Sequence, residues 1–188
     1  MRKVIVSNLI SLDGFIAGPN GEIDWFGWDE ELESYCRDQL GSMDTILFGR
    51  VTYELMAGYW PAASATENDQ AIIDAMNNLP KVVFSRTLDR VEWKNSRLVK
   101  DDIEGEVARM KREPGKDMVI FGSGSIVSSL APAGLIDEYR IFVNPVVLGR
   151  GKSMFRGIDN RLGLKHLCTR TFGSGLVLIC YEPAERSS

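Results

Sequence analysis

Short unbroken apolar runs alternate along this chain with stretches whose apolar residues recur every three or four positions. The runs read as strands buried on both faces, and the longer spacing reads as helices with one buried side. Residues 4–10 predict a first strand, and the turn-rich segment 11–21, Ser-Leu-Asp-Gly-Phe-Ile-Ala-Gly-Pro-Asn-Gly, predicts a long loop of the kind that carries function. Asp29 is placed to cap a helix over 30–40 that Gly41 stops, with Leu32, Cys36 and Leu40 on its inner side. A second strand is predicted over 45–48, and residues 49–54 turn it into a short helix. Thr66 and Asp69, spaced as a capping box, open a helix with Ile72, Met76 and Leu79 inward. Strands over 81–84 and 97–100 follow, then a helix opened by Asp102, with Ile103, Val107 and Met110 inward, that Pro114-Gly115 ends.

The stretch 117–131 organises the rest. Met118 to Phe121 form a short buried strand, Gly122-Ser123-Gly124-Ser125 a tight turn, and Ile126, Val127 and Leu130 the apolar side of a helix that Ser123 or Ser125 can cap. A strand over 138–143, continued after Asn144-Pro145 by 146–148, and a hairpin of 164–172 with 176–181 about Gly173-Ser174-Gly175 complete the pattern, with a loose tail over 183–188. Strands alternate with helices and then give way to a hairpin, with no linker or repeat. The expectation is one domain over 1–188, a three-layer α/β/α sandwich whose mainly parallel sheet has an antiparallel C-terminal hairpin.

Composition narrows the chemistry. The 188 residues are 44% hydrophobic and carry a net charge of -4, so there is no basic surplus to bind a nucleic-acid backbone or an anionic membrane. The N-terminal apolar run is broken by Ser7, Asn8 and Asp13, too soon for a secretory signal, and no segment is long enough to cross a bilayer, which predicts a cytoplasmic protein. Cys36, Cys168 and Cys180 form no C-x-x-C pair, and the single histidine, His166, cannot build a multi-histidine metal centre. No metal site is expected, and serine-hydrolase chemistry would have to rest on His166 alone.

Three strand ends carry polar or glycine-rich turns: Gly49-Arg50-Val51-Thr52, Ser85-Arg86-Thr87 and Gly122-Ser123-Gly124-Ser125. In an open parallel sheet, ligands sit beyond the carboxyl ends of the strands, so these turns can line one crevice. The glycine turn suits a pyrophosphate, and Arg50 and Arg86 with Thr52, Ser85 and Thr87 suit a second phosphate. That inventory fits NADPH better than NADH. The third glycine of a G-x-G-x-x-G fingerprint is missing, so a standard Rossmann domain is a poor match.

The stretches 44–54 (Asp-Thr-Ile-Leu-Phe-Gly-Arg-Val-Thr-Tyr-Glu), 83–88 (Val-Phe-Ser-Arg-Thr-Leu) and 120–126 (Ile-Phe-Gly-Ser-Gly-Ser-Ile) have the order and spacing of the dihydrofolate reductase-like fold. Together with 11–17 and 136–151, the chain resembles the RibD C-terminal branch of that fold, the reductase domain of the bifunctional riboflavin-biosynthesis enzyme and its stand-alone relatives. The resemblance implies that Gly49, Arg50 and Thr52 contact cofactor phosphates, that Ser85, Arg86 and Thr87 receive the 2′-phosphate, and that Gly122, Ser123, Gly124, Ser125 and Ile126 cradle the pyrophosphate. Ile16 and Ala17 would close over the nicotinamide. Dihydrofolate reductases place a carboxylate on the first helix; here Asp29, Glu30 and Glu31 open that helix and none is selected by position. Asp13 is the candidate polar contact to the substrate. The zinc deaminase half of the riboflavin enzyme is absent, because neither His-x-Glu nor Pro-Cys-x-x-Cys occurs. The expected activity is NADPH-dependent hydride transfer to a small pyrimidine- or pterin-like molecule, with 5-amino-6-(5-phosphoribosylamino)uracil reduction as the family's reaction. A dihydrofolate reductase-type activity and a non-catalytic NADP-binding protein are the alternatives, and a homodimer is the family's expectation with no face indicated by the pattern.

Overall fold

The structure, a computed structural model, describes residues 1–184. An eight-stranded sheet runs through the middle in the order β5-β4-β3-β6-β1-β7-β10-β9. Its strands are β1 (Val4–Ser11), β3 (Met43–Gly49), β4 (Lys81–Phe84), β5 (Ser96–Val99), β6 (Asp117–Phe121), β7 (Glu138–Asn144), β9 (Leu164–Thr171) and β10 (Val177–Pro183). The first six pair in parallel, and β10 joins β7 and β9 antiparallel. The expected closing hairpin is therefore present, and it forms one edge of the sheet.

Alternation along each central strand separates two cores. Val4, Val6, Met118 and Ile120 point to one face, where they meet α4 (Ile103–Arg112) and α5 (Gly124–Leu130) through Val107, Met110, Val127 and Leu130. Ile5, Val119, Ile46 and Phe48 point to the other, against α1 (Glu30–Gly41), α2 (Arg50–Tyr59) and α3 (Gln70–Asn78). A strand that is apolar at consecutive positions can satisfy helices on both faces, which is how the short apolar runs produce three layers.

The structure corrects several boundaries. Residues 11–21 are not wholly loop: β2 (Phe15–Ala17) pairs with β8 (Lys152–Ser153) in a separate two-stranded ribbon. The helix after Gly49 is not short but runs ten residues to Tyr59, followed by a 3-10 turn over Trp60–Ala62. Thr66 takes no part in capping α3; Asp69 is itself the cap, accepting from the amides of Ala71 and Ile72 at 2.8 and 3.3 Å. Residues 146–148 do not extend β7, because the amide of Val146 turns back to the carbonyl of Asn144. Pro183 ends β10 instead of beginning a loose tail, the Ala184 amide donates to the Gly163 carbonyl at 2.9 Å, and 185–188 lie outside the described residues.

Candidate functional site

Because β1, β3, β4 and β6 are parallel neighbours, their carboxyl ends, and the turns that follow, emerge along one rim of the sheet. The turn after β6 is the most constrained. Gly122 and Ser123 have φ of +66° and +55°, the left-handed region that a glycine enters freely and a serine enters at a cost. Gly122 donates its amide to Oδ1 of Asn8 at 2.7 Å, anchoring the turn on β1. Ser123 occupies the N-cap position of α5 but makes no capping bond with its side chain. Its Oγ instead accepts the amide of Gly49 at 2.8 Å and lies 3.1 Å from Oγ1 of Thr52, so one serine ties the turn after β6 to the turn after β3.

The caps divide the five helices into two classes. The helices α1, α3 and α4 start under the carboxylates of Asp29, Asp69 and Asp102, each accepting first-turn amides. The helices α2 and α5 start at Gly49 and Ser123 with no side-chain cap. A helix start leaves its first amides without intrahelical partners and carries partial positive charge. The two uncapped starts both open into the same cavity, whose lining includes Arg50, Val51 and Thr52 of one and Gly124 and Ser125 of the other.

That cavity has a volume of about 890 Å³. Its charged lining residues are Arg50, Lys152 and Arg156; among the described residues no Asp or Glu lines it. Arg50 pairs with Glu54 at 3.0 Å, whereas Lys152 and Arg156 make no ion pair among the described residues. Away from the turns the walls are apolar, formed by Phe26 and Trp28, by Cys36 and Leu40 of α1, and by Met56 and Met76. Burial pushes the Cys36 thiol up to about 12, so it stays a neutral wall residue. A smaller hollow of about 270 Å³ adjoins it, sharing Phe84, Ser85 and Ser125 and holding Arg86 and Ile126. The combination of free amides, hydroxyls and cations beside an apolar chamber suits a long, multiply anionic ligand with a planar end.

Most of the sequence-derived residues converge here: Ile16 and Ala17 of β2, Arg50 and Thr52, Ser85, and Gly122 to Ser125 line the main cavity. The β2 and β8 ribbon holds Ile16 close over the glycine turn; a Cβ on Gly124 would stand 3.6 Å from its Cδ1 and 3.1 Å from the carbonyls of Ser153 and Met154. Gly49 and Thr87 line neither space. The Gly49 amide is taken by Ser123, and the Thr87 amide donates to Oγ of Ser85 at 3.2 Å in a local turn. Asp13 also lies outside the lining. Its Oδ1 accepts from the Ser11 hydroxyl at 2.6 Å and the Leu148 amide at 3.1 Å, and its Oδ2 from the Gly149 amide at 2.7 Å, which clamps two loops together. The Ser11 hydroxyl bond, then the two amides, hold its carboxyl below the usual aspartate range. The first-turn acids of α1 are likewise spent elsewhere, Asp29 on its cap and Glu31 on the Gly173 amide at 2.8 Å. Sequence reasoning passed over Asn8 and Arg156. The polar pair Ser7-Asn8 in the middle of an apolar first strand was the available signal for Asn8; nothing local marked Arg156.

Residues 2–178 match the family model described as the RibD C-terminal domain. YyaP, an uncharacterized protein of Bacillus subtilis (strain 168), is 37% identical over 181 residues, spanning 96% of this chain and 95% of its own length. A protein of Shewanella sp. PV-4 assigned to riboflavin biosynthesis superposes with a TM-score of 0.78 at 21% identity, covering 97% of this chain and 99% of its own. The diaminohydroxyphosphoribosylaminopyrimidine deaminase/5-amino-6-(5-phosphoribosylamino)uracil reductase of Thermotoga maritima gives a TM-score of 0.69 at 14% identity over 97% of this chain and 57% of its own. Dihydrofolate reductase from Enterococcus faecalis, complexed with NADP(H), gives 0.63 at 14% identity over 97% of both chains. These three structural likenesses establish the dihydrofolate reductase-like fold.

Proposed function

The chain belongs to the RibD C-terminal domain family, and from that premise and the site geometry we propose that it is an NADPH-dependent reductase acting on a pyrimidine- or pterin-like metabolite. Reduction of 5-amino-6-(5-phosphoribosylamino)uracil is the first reaction to test. One observation carries the reading: the two helices that open into the cavity are the two without side-chain caps, and among the described residues no carboxylate side chain lines that cavity. A pyrophosphate placed there supplies the acceptors those amides lack.

Each residue then has a task. The amides of Gly124 and Ser125, with the Thr52 hydroxyl, would hold the pyrophosphate, and Arg50 and Arg86 would meet the remaining phosphate charge. Ile16 and Ala17, fixed by the β2 and β8 pairing, screen the neighbouring space from water. The bound cofactor supplies hydride; alignment of donor and acceptor is what the protein contributes. The apolar walls of Phe26, Trp28 and Leu40 suit a flat ring, and Lys152 and Arg156, which form no ion pair among the described residues, suit a phosphate at the far end of the acceptor. A ribosyl phosphate fits that need, and a folate-type contact does not, since no acid of α1 reaches the lining. Water or a hydroxyl group supplies the proton.

Thermal melting with nicotinamide cofactors tests the binding, and loss of reduced nicotinamide absorbance with pyrimidine and pterin acceptors tests the chemistry. NADPH at a hundred times its Kd should stabilise the native state by about 2.7 kcal/mol, raising Tm by roughly 5–10 °C for a chain of this size. Absence of any shift with NADPH or NADH rejects the cofactor site. Tight binding with no turnover across the panel favours a binding protein over an enzyme.

A further inference from the structure

The charge around Arg86 differs in kind from that of the main cavity. The smaller hollow is lined by two cations, Arg86 and Lys100, and two carboxylates, Asp101 and Asp102. Asp102 is committed to the protein, accepting the Gly105 amide at 3.0 Å as the cap of α4. Lys100 leans to Asp89 at 3.9 Å. Asp101 Oδ1 stands 3.7 Å from Nε of Arg86, with the two side chains 85% and 83% exposed. Among the described residues no hydrogen bond fixes Asp101, so its carboxylate stays free to shadow Arg86, the arginine of the hollow. A dianionic phosphate arriving at Arg86 must displace that carboxylate and remain close to it, whereas a plain ribose hydroxyl finds an acceptor in it.

We propose that Asp101 is a specificity-determining residue of the cofactor site, narrowing the preference for NADPH over NADH that Arg86 creates. The inference rests on the cofactor reading given above and deepens it. Asp101 acts by subtraction: it lowers the gain a 2′-phosphate draws from Arg86 and offers the unphosphorylated ribose a hydrogen-bond partner.

The test is the pair of dissociation constants for NADPH and NADH, measured by fluorescence titration at fixed ionic strength on the wild-type chain and on Asp101→Asn. Asp101 is exposed, so the variant should melt with the wild type, which a parallel melt verifies. NADPH affinity should rise about fivefold, NADH affinity should stay level or fall, and the effect should shrink as salt is added, as expected of exposed charges. A wild-type chain that binds NADPH while the ratio of the two constants moves less than about twofold in the variant, within the spread of exposed pairs, overturns the role of Asp101 and leaves the cofactor reading standing. A wild-type chain that binds neither dinucleotide overturns the cofactor reading, and the role of Asp101 falls with it.

Discussion

Ser123 shows how far a single side chain's task can lie from what its position in the sequence implies. A serine ahead of a helix reads as a cap, yet its Oγ faces the neighbouring turn and leaves the start of α5 open. Asp13 is a second case: an Asp-Gly turn beside a motif reads as a polar contact to a ligand, and the fold uses it to fasten residues 148 and 149. Such long-range partners are invisible in a linear string, because Gly49 and Ser123 are separated by 74 positions. The glycines were legible, since a buried strand followed by Gly-Ser-Gly has little choice but a tight turn. Gly122→Ala is the sharpest test at this scale. A Cβ there would come 2.7 Å from Oγ1 of Thr52 on a backbone with φ of +66°. The variant should lose about 1–3 kcal/mol in chemical denaturation and bind NADPH more weakly. Full stability would mean that the turn tolerates a side chain and is looser than its geometry indicates.

Elements were read with most success where apolar period and cap residue agreed, as in α1, α4 and the central strands. They were misread where pairing is made by tertiary contact: β2 is three residues and β8 two, and neither has a periodicity of its own to detect. Lys81 illustrates the same limit inside a correctly placed strand. It is fully buried, and its Nζ donates to the carbonyls of Asn77, Leu79 and Lys94, closing the carboxyl end of α3. The helix α4 carries a pH-dependent attachment. Its Glu106 bonds Arg109 on the same helix and Arg97 on β5, and these arginines, Arg109 first, pull its carboxyl down to about 2. With the folded value below the unfolded one, this contribution is complete above about pH 4.5 and is lost as the pH falls toward 2. Partial exposure screens it, so Glu106→Gln should reduce stability by about 1 kcal/mol at pH 7 and by much less near pH 2. Urea melts at the two pH values measure the difference, and an equal loss at both would assign the cost to packing instead of charge.

On the scale of the whole molecule, the sheet order decides what the chain can do. Placing β1, β3 and β6 side by side gathers turns from residues 49–54 and 122–126 at one rim. The three-layer class and its antiparallel hairpin could be read in advance from the alternation of elements, but the order of the strands could not, since apolar runs do not name their neighbours. The same order predicts a gradient of rigidity. All eight residues of β9 are exposed at the outer edge, while β1, β3 and β6 lie between other strands. Native-state hydrogen exchange should therefore find the slowest amides in those three strands and the fastest strand amides in β9. NADPH should slow exchange at the two rim turns and leave β9 unchanged; uniform protection across the sheet would contradict the order of rigidity. The space beside Gly49 is filled by the Ser123 hydroxyl of the other turn, and that beside Gly122 by Thr52 of the first, 2.7 Å from the Cβ that Gly122 lacks. The loops fit together like lock wards, so an engineer grafting this cradle onto a foreign scaffold has to transplant both at once, and neither will keep its shape alone.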